Sequence, residues 1–538
     1  MISRRVVLEG AMLGMGGLLL GAAARATTEV EIFPVVETAQ GKVRGVSSGG
    51  INMFKGIRYG GETSSKNRFM PPTPAPKWAG VRDAIEYGQY APQMPNSRVN
   101  DYTGLIMFDI QPGGMGEDCL VLNLWTPTLA SGAKKPVLFH IHGGGFYGGS
   151  GNSPGYDGES LARFGDCVVI TVNHRLGAFG YMNLTSEGSQ FAHSGVVGMM
   201  DIVQALQWVR ENVAAFGGDP SRVLVFGQSG GGAKTSILMA MPSAQGLYQR
   251  AGVMSGATLK LAETEAAQKN TAQLLSILGI ASGRAAKLQA LSFETILAAQ
   301  ATMESADRAR GEAPRSFSPT VDGVAIPGNP FDPVAPSISA DVPMIISNVI
   351  DERAYRKNNF DLDEPGLRAF IARRVGEDRA TAVLKMYRDE DPVATPFILQ
   401  ARFETDEVFR KPSLIQTERK AALGKAPAWS YLWRVPSPAY GGRYGTPHGS
   451  DVGPSLHDVR GGLNGTSAES VHLADQIASA WISFAATGNP NNPKTPRWPP
   501  YSLPARATLV FDHETRAESD PRGQFREFWE KEPPQRAG

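Results

Sequence analysis

Cysteine is nearly absent. The 538-residue chain has two, Cys119 and Cys167, which excludes a disulfide scaffold. Both lie in or beside strand-like segments, so buried free thiols acting as small apolar side chains are expected. An excess of either charge is also missing. Lys plus Arg number 53 and Asp plus Glu 52, a formal net charge of +1, which removes the electrostatic case for nucleic acid as a partner. No linker, low-complexity tract or internal repeat breaks the chain, so a string of small domains is not expected despite the length. A long apolar run is lacking as well. The most apolar stretch, Gly10 to Ala24, is glycine-rich and shorter than the ~20 residues that cross a bilayer. With 42% hydrophobic and 20% charged residues, the composition is that of a large protein with a substantial core.

What is present is a pair of glycine motifs, each after a strand-like run. Gly227-Gln228-Ser229-Gly230-Gly231 follows Arg222-Val223-Leu224-Val225-Phe226 and precedes Ala233-Lys234-Thr235-Ser236-Ile237-Leu238-Met239, which reads as the first turns of a helix. A G-x-S-x-G between strand and helix has the form of a nucleophile elbow. The turn is so tight that small residues must flank the serine, whose hydroxyl then projects from the top of a sheet. Alone, this pattern is common and more often marks an ordinary glycine turn. The second motif, His142-Gly143-Gly144-Gly145-Phe146, follows Pro136-Val137-Leu138-Phe139-His140-Ile141. Acyl transfer needs donors aimed at the oxygen that becomes negative in the tetrahedral intermediate. Consecutive glycines let backbone N–H groups approach that oxygen without Cβ clashes. The N–H groups of Gly144, Gly145 and Gly230 are the expected donors.

Further stretches extend the pattern: Glu117-Asp118-Cys119-Leu120, Leu122-Asn123-Leu124-Trp125-Thr126-Pro127, Asn173-His174-Arg175-Leu176-Gly177-Ala178-Phe179-Gly180, Phe216-Gly217-Gly218-Asp219-Pro220, Thr487-Gly488-Asn489-Pro490-Asn491 and Trp498-Pro499. With both glycine motifs, this series resembles the type-B carboxylesterases, which include cholinesterases and bacterial para-nitrobenzyl esterases. The resemblance runs from about residue 35 to about residue 530. It implies an α/β-hydrolase fold: a large, mostly parallel central sheet flanked by helices, with helical insertions over the active site. Residues 27–538 would then form one hydrolase domain. Residues 256–430, rich in Ala, Leu, Arg and Glu at helical spacing, would form much of the pocket wall.

A nucleophilic serine needs a base, and the base an orienting acid. In this fold they follow the serine in the order acid, histidine. His448, His457, His472 and His513 follow the elbow. The family's histidine stands in an H-G-x-D/E segment, which matches His448-Gly449-Ser450-Asp451; His457 is the nearest competitor, and His472 and His513 read as helix-face and surface residues. The acid aligns with Glu352 of Asn348-Val349-Ile350-Asp351-Glu352, with Asp351 and Asp322 as rivals. The family usually has glycine where Ser347 and Arg353 stand. The implied function is hydrolysis of small carboxylic esters through an acyl-enzyme on Ser229, with no metal or organic cofactor. An acyltransferase using the same acyl-enzyme is the alternative, as is a binding relative of the fold without catalysis.

Other departures are informative. The family usually has glutamate at Gln228 and alanine at Gly230; glutamine keeps hydrogen-bonding capacity but removes a negative charge beside the histidine, and glycine there is expected to loosen the oxyanion donor. The family disulfide to Cys119 is absent, because its partner position is Ala91. The resemblance also implies structural ion pairs of Arg68 with Glu117 and of Arg175 with Asp201. His140 and His142 stand two apart on one strand without a third ligand at a sensible spacing, so no metal site is expected. Pro392, Pro396, Phe397 and Phe403 could line the pocket, although a core role suits them better, and Trp433 is a further aromatic whose place is open. At the N-terminus, Ser3-Arg4-Arg5-Val6-Val7-Leu8 resembles a twin-arginine export motif, and Ala24-Arg25-Ala26 reads as a cleavage signal. A removed signal peptide over 1–26, a periplasmic or secreted bacterial enzyme without stable membrane insertion, and a monomer or small homo-oligomer are the corresponding expectations.

Overall fold

Successive residues of the apolar runs bury themselves on opposite faces of one sheet. In the computed structural model, which describes residues 31–95 and 111–533, Val137, Phe139 and Ile141 join one hydrophobic cluster with Val223 and Val225. Leu138 joins another with Leu224 and Phe226. This is the period-two alternation of a strand buried on both sides.

The strands are β1 (Val35–Glu37), β2 (Lys42–Arg44), β3 (Val46–Ser48), β4 (Ile51–Arg58), β5 (Val81–Asp83), β6 (Val121–Thr126), β7 (Lys135–Ile141), β8 (Val168–Val172), β9 (Gly218–Gln228), β10 (Arg250–Met254), β11 (Met344–Val349), β12 (Ala428–Trp433), β13 (Ala507–Phe511) and β14 (Arg516–Ser519). A small sheet has the order β1-β2-β5. The large one has 11 strands in the order β14-β13-β12-β11-β10-β9-β7-β8-β6-β4-β3. From β13 to β8 every neighbouring pair is parallel, while the pairs at both edges are antiparallel. The expected large, mostly parallel sheet is therefore present.

Helices cover both faces. Val197–Asn212 places Ile202, Leu206 and Val209 in the first cluster. Ala468–Thr487 places Ile477, Trp481 and Phe484 in the second. Residues 256–430 contribute β11 and β12 but are otherwise largely helical, including Thr264–Ile277, Phe293–Ala309, Glu364–Val375, Glu377–Glu390, Pro396–Thr405 and Lys411–Ala422. Part of this material has its own core, in which Leu367, Ile371, Tyr387 and Phe403 pack on Phe525 and Trp529. No helix of the described residues is long and apolar enough to cross a membrane. The N-terminal signal reading falls outside the described residues.

Two boundaries differ from expectation. β9 is longer than the apolar run Arg222–Phe226, and the helix after the elbow begins at Gly230 rather than Ala233. Glycine is a poor helix former, so this first turn is invisible to propensity; backbone crowding around it excludes larger residues, as described below. Cys119 and Cys167 are both free and buried, as expected.

Both expected ion pairs form inside the protein. Arg68 Nε donates to Glu117 Oε1 at 2.7 Å and Nη2 to Oε2 at 2.5 Å. Arg175 grips Asp201 through Nε at 2.8 Å and Nη2 at 2.6 Å, and its backbone N–H donates to the same carboxylate at 3.0 Å. Arg175 and Asp201 are buried, so removing one partner strands the other charge at a typical cost of about 3–5 kcal/mol. Arg175→Ala is accordingly expected to lower the melting temperature by several degrees; a melting curve that does not move would show that the pair carries no stability.

Candidate active site

The candidate residues lie just past the C-terminal ends of the parallel strands, where open α/β sheets bind ligands. Ser229 follows β9 directly and caps the helix Gly230–Leu238, with φ +58° and ψ −122°. For a residue with a Cβ such a positive φ is strained. The turn is held by backbone bonds: Ser229 N–H donates to the Met254 carbonyl at 2.8 Å, and the Ser229 carbonyl accepts from Ala233 N–H at 2.9 Å.

Small residues are obligatory around it. A Cβ on Gly227 would sit 2.4 Å from the Ile141 carbonyl oxygen, and one on Gly231 only 2.0 Å from it. β7, which ends at Ile141, thus runs against the elbow backbone. The chain continues from β7 into His142–Gly145, where Gly144 and Gly145 have φ of +88° and +61°. Gly143 N–H donates to the Tyr156 hydroxyl at 3.0 Å, whereas among the described residues no acceptor is paired with the N–H of Gly144 or Gly145. Gly230 N–H opens a helix and is one of its four N–H groups without an intrahelical partner.

The expectation that Gly230 loosens this region is corrected by the packing. A Cβ there would lie 2.3 Å from the Gly145 carbonyl oxygen and 2.4 Å from its nitrogen. The Gly145 backbone fills the space that a methyl group on residue 230 would take.

Glu352 follows β11 and is completely buried; its Oε1 accepts from Val349 N–H at 2.8 Å. Its Oε2 accepts from His448 Nδ1 in a very short contact. His448, in the loop after β12, is buried between the Tyr355 ring, stacked at 4.9 Å, and the Phe409 ring at 5.1 Å. Its other nitrogen, Nε2, is 3.1 Å from the side-chain amide nitrogen of Gln228. Among the described residues no hydrogen bond joins Ser229 Oγ to His448.

The rivals are occupied elsewhere. Asp351 accepts from Arg402 Nε at 2.9 Å and from Thr446 N–H at 3.0 Å, tying the His448 loop to the Glu352 turn. Asp322 is bound to His193 and to its own loop N–H groups. His457 pairs with Asp475 at 2.8 Å and stacks on Phe164. His472 bonds Gln476 along one helix, and exposed His513 bonds Glu469. Behind Glu352, burial pushes the Asp451 carboxyl up to about 7, opposed by the Tyr431 hydroxyl that donates to it at 2.7 Å.

A cavity of about 200 Å³ opens at Ser229, lined by Gly145, Phe146, Gly230, Ala233, Ser255–Thr258, Val408 and Phe409. Val408 and Phe409 were not expected. They belong to a π-helical turn, Asp406–Arg410, continuous with the helices on either side, which helical periodicity does not reveal. Phe397, Phe403 and Trp433 are core residues.

The fold agrees with comparisons to known proteins. The model of the Carboxylesterase family matches residues 33–529. The chain belongs to the carboxylesterase family. It is 34% identical to a para-nitrobenzyl esterase of Bacillus subtilis (strain 168) over 92% of this chain and 98% of that one. It is 30% identical to a phenmedipham hydrolase of Pseudarthrobacter oxydans, covering 89% and 95%. A solved esterase of Clostridium hathewayi that can hydrolyze aliphatic aromatic polyesters superposes with a TM-score of 0.80 at 32% identity, covering 93% of this chain and 98% of that one. This carboxylesterase has the α/β-hydrolase fold and is a carboxylic ester hydrolase.

Gly230→Ala is expected to force Gly145 outward and to lower kcat/KM on an activated ester at least about tenfold, near 1.4 kcal/mol. Unchanged kcat/KM would mean that the loop accommodates a methyl group without loss.

Proposed function

We propose that this carboxylesterase cleaves small carboxylic esters through an acyl-enzyme on Ser229. His448 serves as general base and acid, and Glu352 orients it. The observation that carries the reading is the buried contact between Glu352 and His448 Nδ1, with His448 Nε2 beside the residue preceding Ser229. Nδ1–H donating to a carboxylate leaves Nε2 with its lone pair outward in the neutral ring.

Each step then has an agent. Ser229 Oγ attacks the ester carbonyl while His448 Nε2 takes its proton. The negative oxygen is received by the N–H groups of Gly144, Gly145 and Gly230, and removing one such donor typically costs on the order of 10²–10³ in turnover. His448 returns the proton to the departing alcohol, and water reverses the sequence. Glu352 stabilises the imidazolium.

Gln228 gives this site its own character. Its amide donates to the Nε2 lone pair in the resting arrangement and must yield when Ser229 turns onto it. A glutamate there would instead favour the imidazolium and attract cations. Gln228→Glu is expected to raise the ratio of kcat/KM for a choline ester to that for its neutral isostere. An unmoved ratio would leave Gln228 without electrostatic influence.

Residues 27–538 are taken as one hydrolase domain, in keeping with a sheet fed from both ends of the chain. Export to the periplasm through the Arg4-Arg5 signal, with cleavage after Ala26, is read from the sequence.

The test is hydrolysis of a chain-length series of para-nitrophenyl esters by wild type and Ser229→Ala. The variant is expected to lose at least about 10³-fold in turnover. Short acyl chains should lead, because a cavity of about 200 Å³ is smaller than the ~300–1,000 Å³ of drug-sized pockets. Retained activity in Ser229→Ala would remove the serine mechanism.

A further inference from the structure

Five residues beyond Ser229, the helix that it caps turns a lysine inward. Lys234 is fully buried, with no exposed surface. Among the described residues no carboxylate pairs with it, and burial alone accounts for a pKa lowered to about 7. Its Nζ donates to the carbonyl of His142 at 3.3 Å and stands 5.9 Å from the centre of the Phe146 ring. His142 and Phe146 are the two ends of the segment that carries Gly144 and Gly145. Lys234 is also one helical turn beyond Gly230 and so shares its side of the helix. The ammonium therefore lies behind the place where all three proposed oxyanion donors meet.

The titratable groups facing it are His140 and His142 at the end of β7 and His174 beyond β8. Burial first, and then the charge of Lys234, hold His140 down to about 3 and His142 and His174 well below the usual imidazole range. All three are held neutral, so none sets a second positive charge beside the lysine. His142 and His174 stack at 4.9 Å, and each directs Nδ1 to a backbone carbonyl. The remaining nitrogens, Nε2 of His142 and of His174, are buried without a partner.

A buried cation without a counter-ion destabilises a fold, and a methionine would fill the same volume without that cost. We infer that Lys234 is a positioning residue of the oxyanion site: it pins the His142–Phe146 segment and sets a positive charge behind the oxygen that becomes negative in the transition state. The inference rests on the Ser229 mechanism proposed above. It separates two quantities that a structural lysine would move together. Removing the charge should weaken catalysis and strengthen the fold.

The pH dependence has a definite sign. The folded state holds Lys234 with a pKa of about 7, whereas an unfolded lysine titrates near ~10.4. Between these values the unfolded chain binds more protons, so the lysine's cost to stability is full below pH 7 and fades as pH rises. Catalytic support runs the other way and is lost as the ammonium deprotonates.

The experiment compares full-length wild type, Lys234→Met and Ser229→Ala on para-nitrophenyl butyrate from pH 6 to 9, with melting temperatures at pH 6.5 and 9. Lys234→Met is expected to lose at least tenfold in kcat with KM within twofold. It should also lack the alkaline decline expected of wild type above neutrality, and melt higher than wild type, by more at pH 6.5 than at pH 9. Full kcat in Lys234→Met alongside an inactive Ser229→Ala would overturn the inference and leave the serine mechanism standing. A Lys234→Met that melts lower or fails to fold would overturn it as well, by making the lysine structural. An active Ser229→Ala would remove the mechanism on which the inference rests.

Discussion

Backbone pressed against backbone is the contact on which the site depends. β7 ends at Ile141, and its carbonyl oxygen meets Gly227 and Gly231 at separations that leave no space for a Cβ. The next residues of that chain meet Gly230 just as closely through Gly145. No side chain participates in these contacts. They fix how β7 and β9 approach one another beyond the sheet, and therefore where the Ser229 hydroxyl stands relative to the N–H groups of Gly144 and Gly145. A parallel sheet buried on both faces is what makes the approach repeatable, since side-chain packing on either side leaves the strand ends little freedom.

The electrostatics around this contact are built from few charges, most of them compensated. Glu352 is spent on His448 and a backbone N–H, Asp351 on Arg402 and Thr446, and Arg175 on Asp201. Gln228 contributes hydrogen bonding without charge. Lys234 has no such compensation: it is a cation held by a carbonyl and neutral rings. In a low-dielectric interior an uncompensated charge acts over a longer range than a paired one.

How much was legible in the sequence follows from what each residue does locally. Ser229 and the glycines announce themselves because a tight turn restricts residue type, and the restriction is written within five positions. Glu352 and His448 are named only through the resemblance to the family's motifs, carried onto short segments that follow strand-like runs. The helix start at Gly230 was missed because glycine carries no helical propensity. Phe409 was missed because the π turn breaks the periodicity by which helix faces are read. Asp351 looked like a rival acid because sequence lists carboxylates without their partners; only the fold places Arg402 and Thr446 against it. Lys234 would pass for a solvated helix residue by the same logic, since its burial is decided by chain segments nearly a hundred residues earlier.

Arg402 sits in the helix Pro396–Thr405, only a few residues before Val408 and Phe409 in the cavity wall. Through Asp351 it is bolted to the turn that carries Glu352 and to the loop that carries His448. The wall of the pocket and the frame of the Glu352–His448 pair are therefore one mechanical unit. A chimera that imports this wall from a relative brings its own residue at the Arg402 position into contact with a resident Asp351. Crossover points that separate the two break a buried ion pair, whereas those that keep both on one fragment preserve it. Diversification of the pocket is thus freest at the π turn and most constrained one helix earlier, so that new acyl specificities can arise there without disturbing the frame beneath.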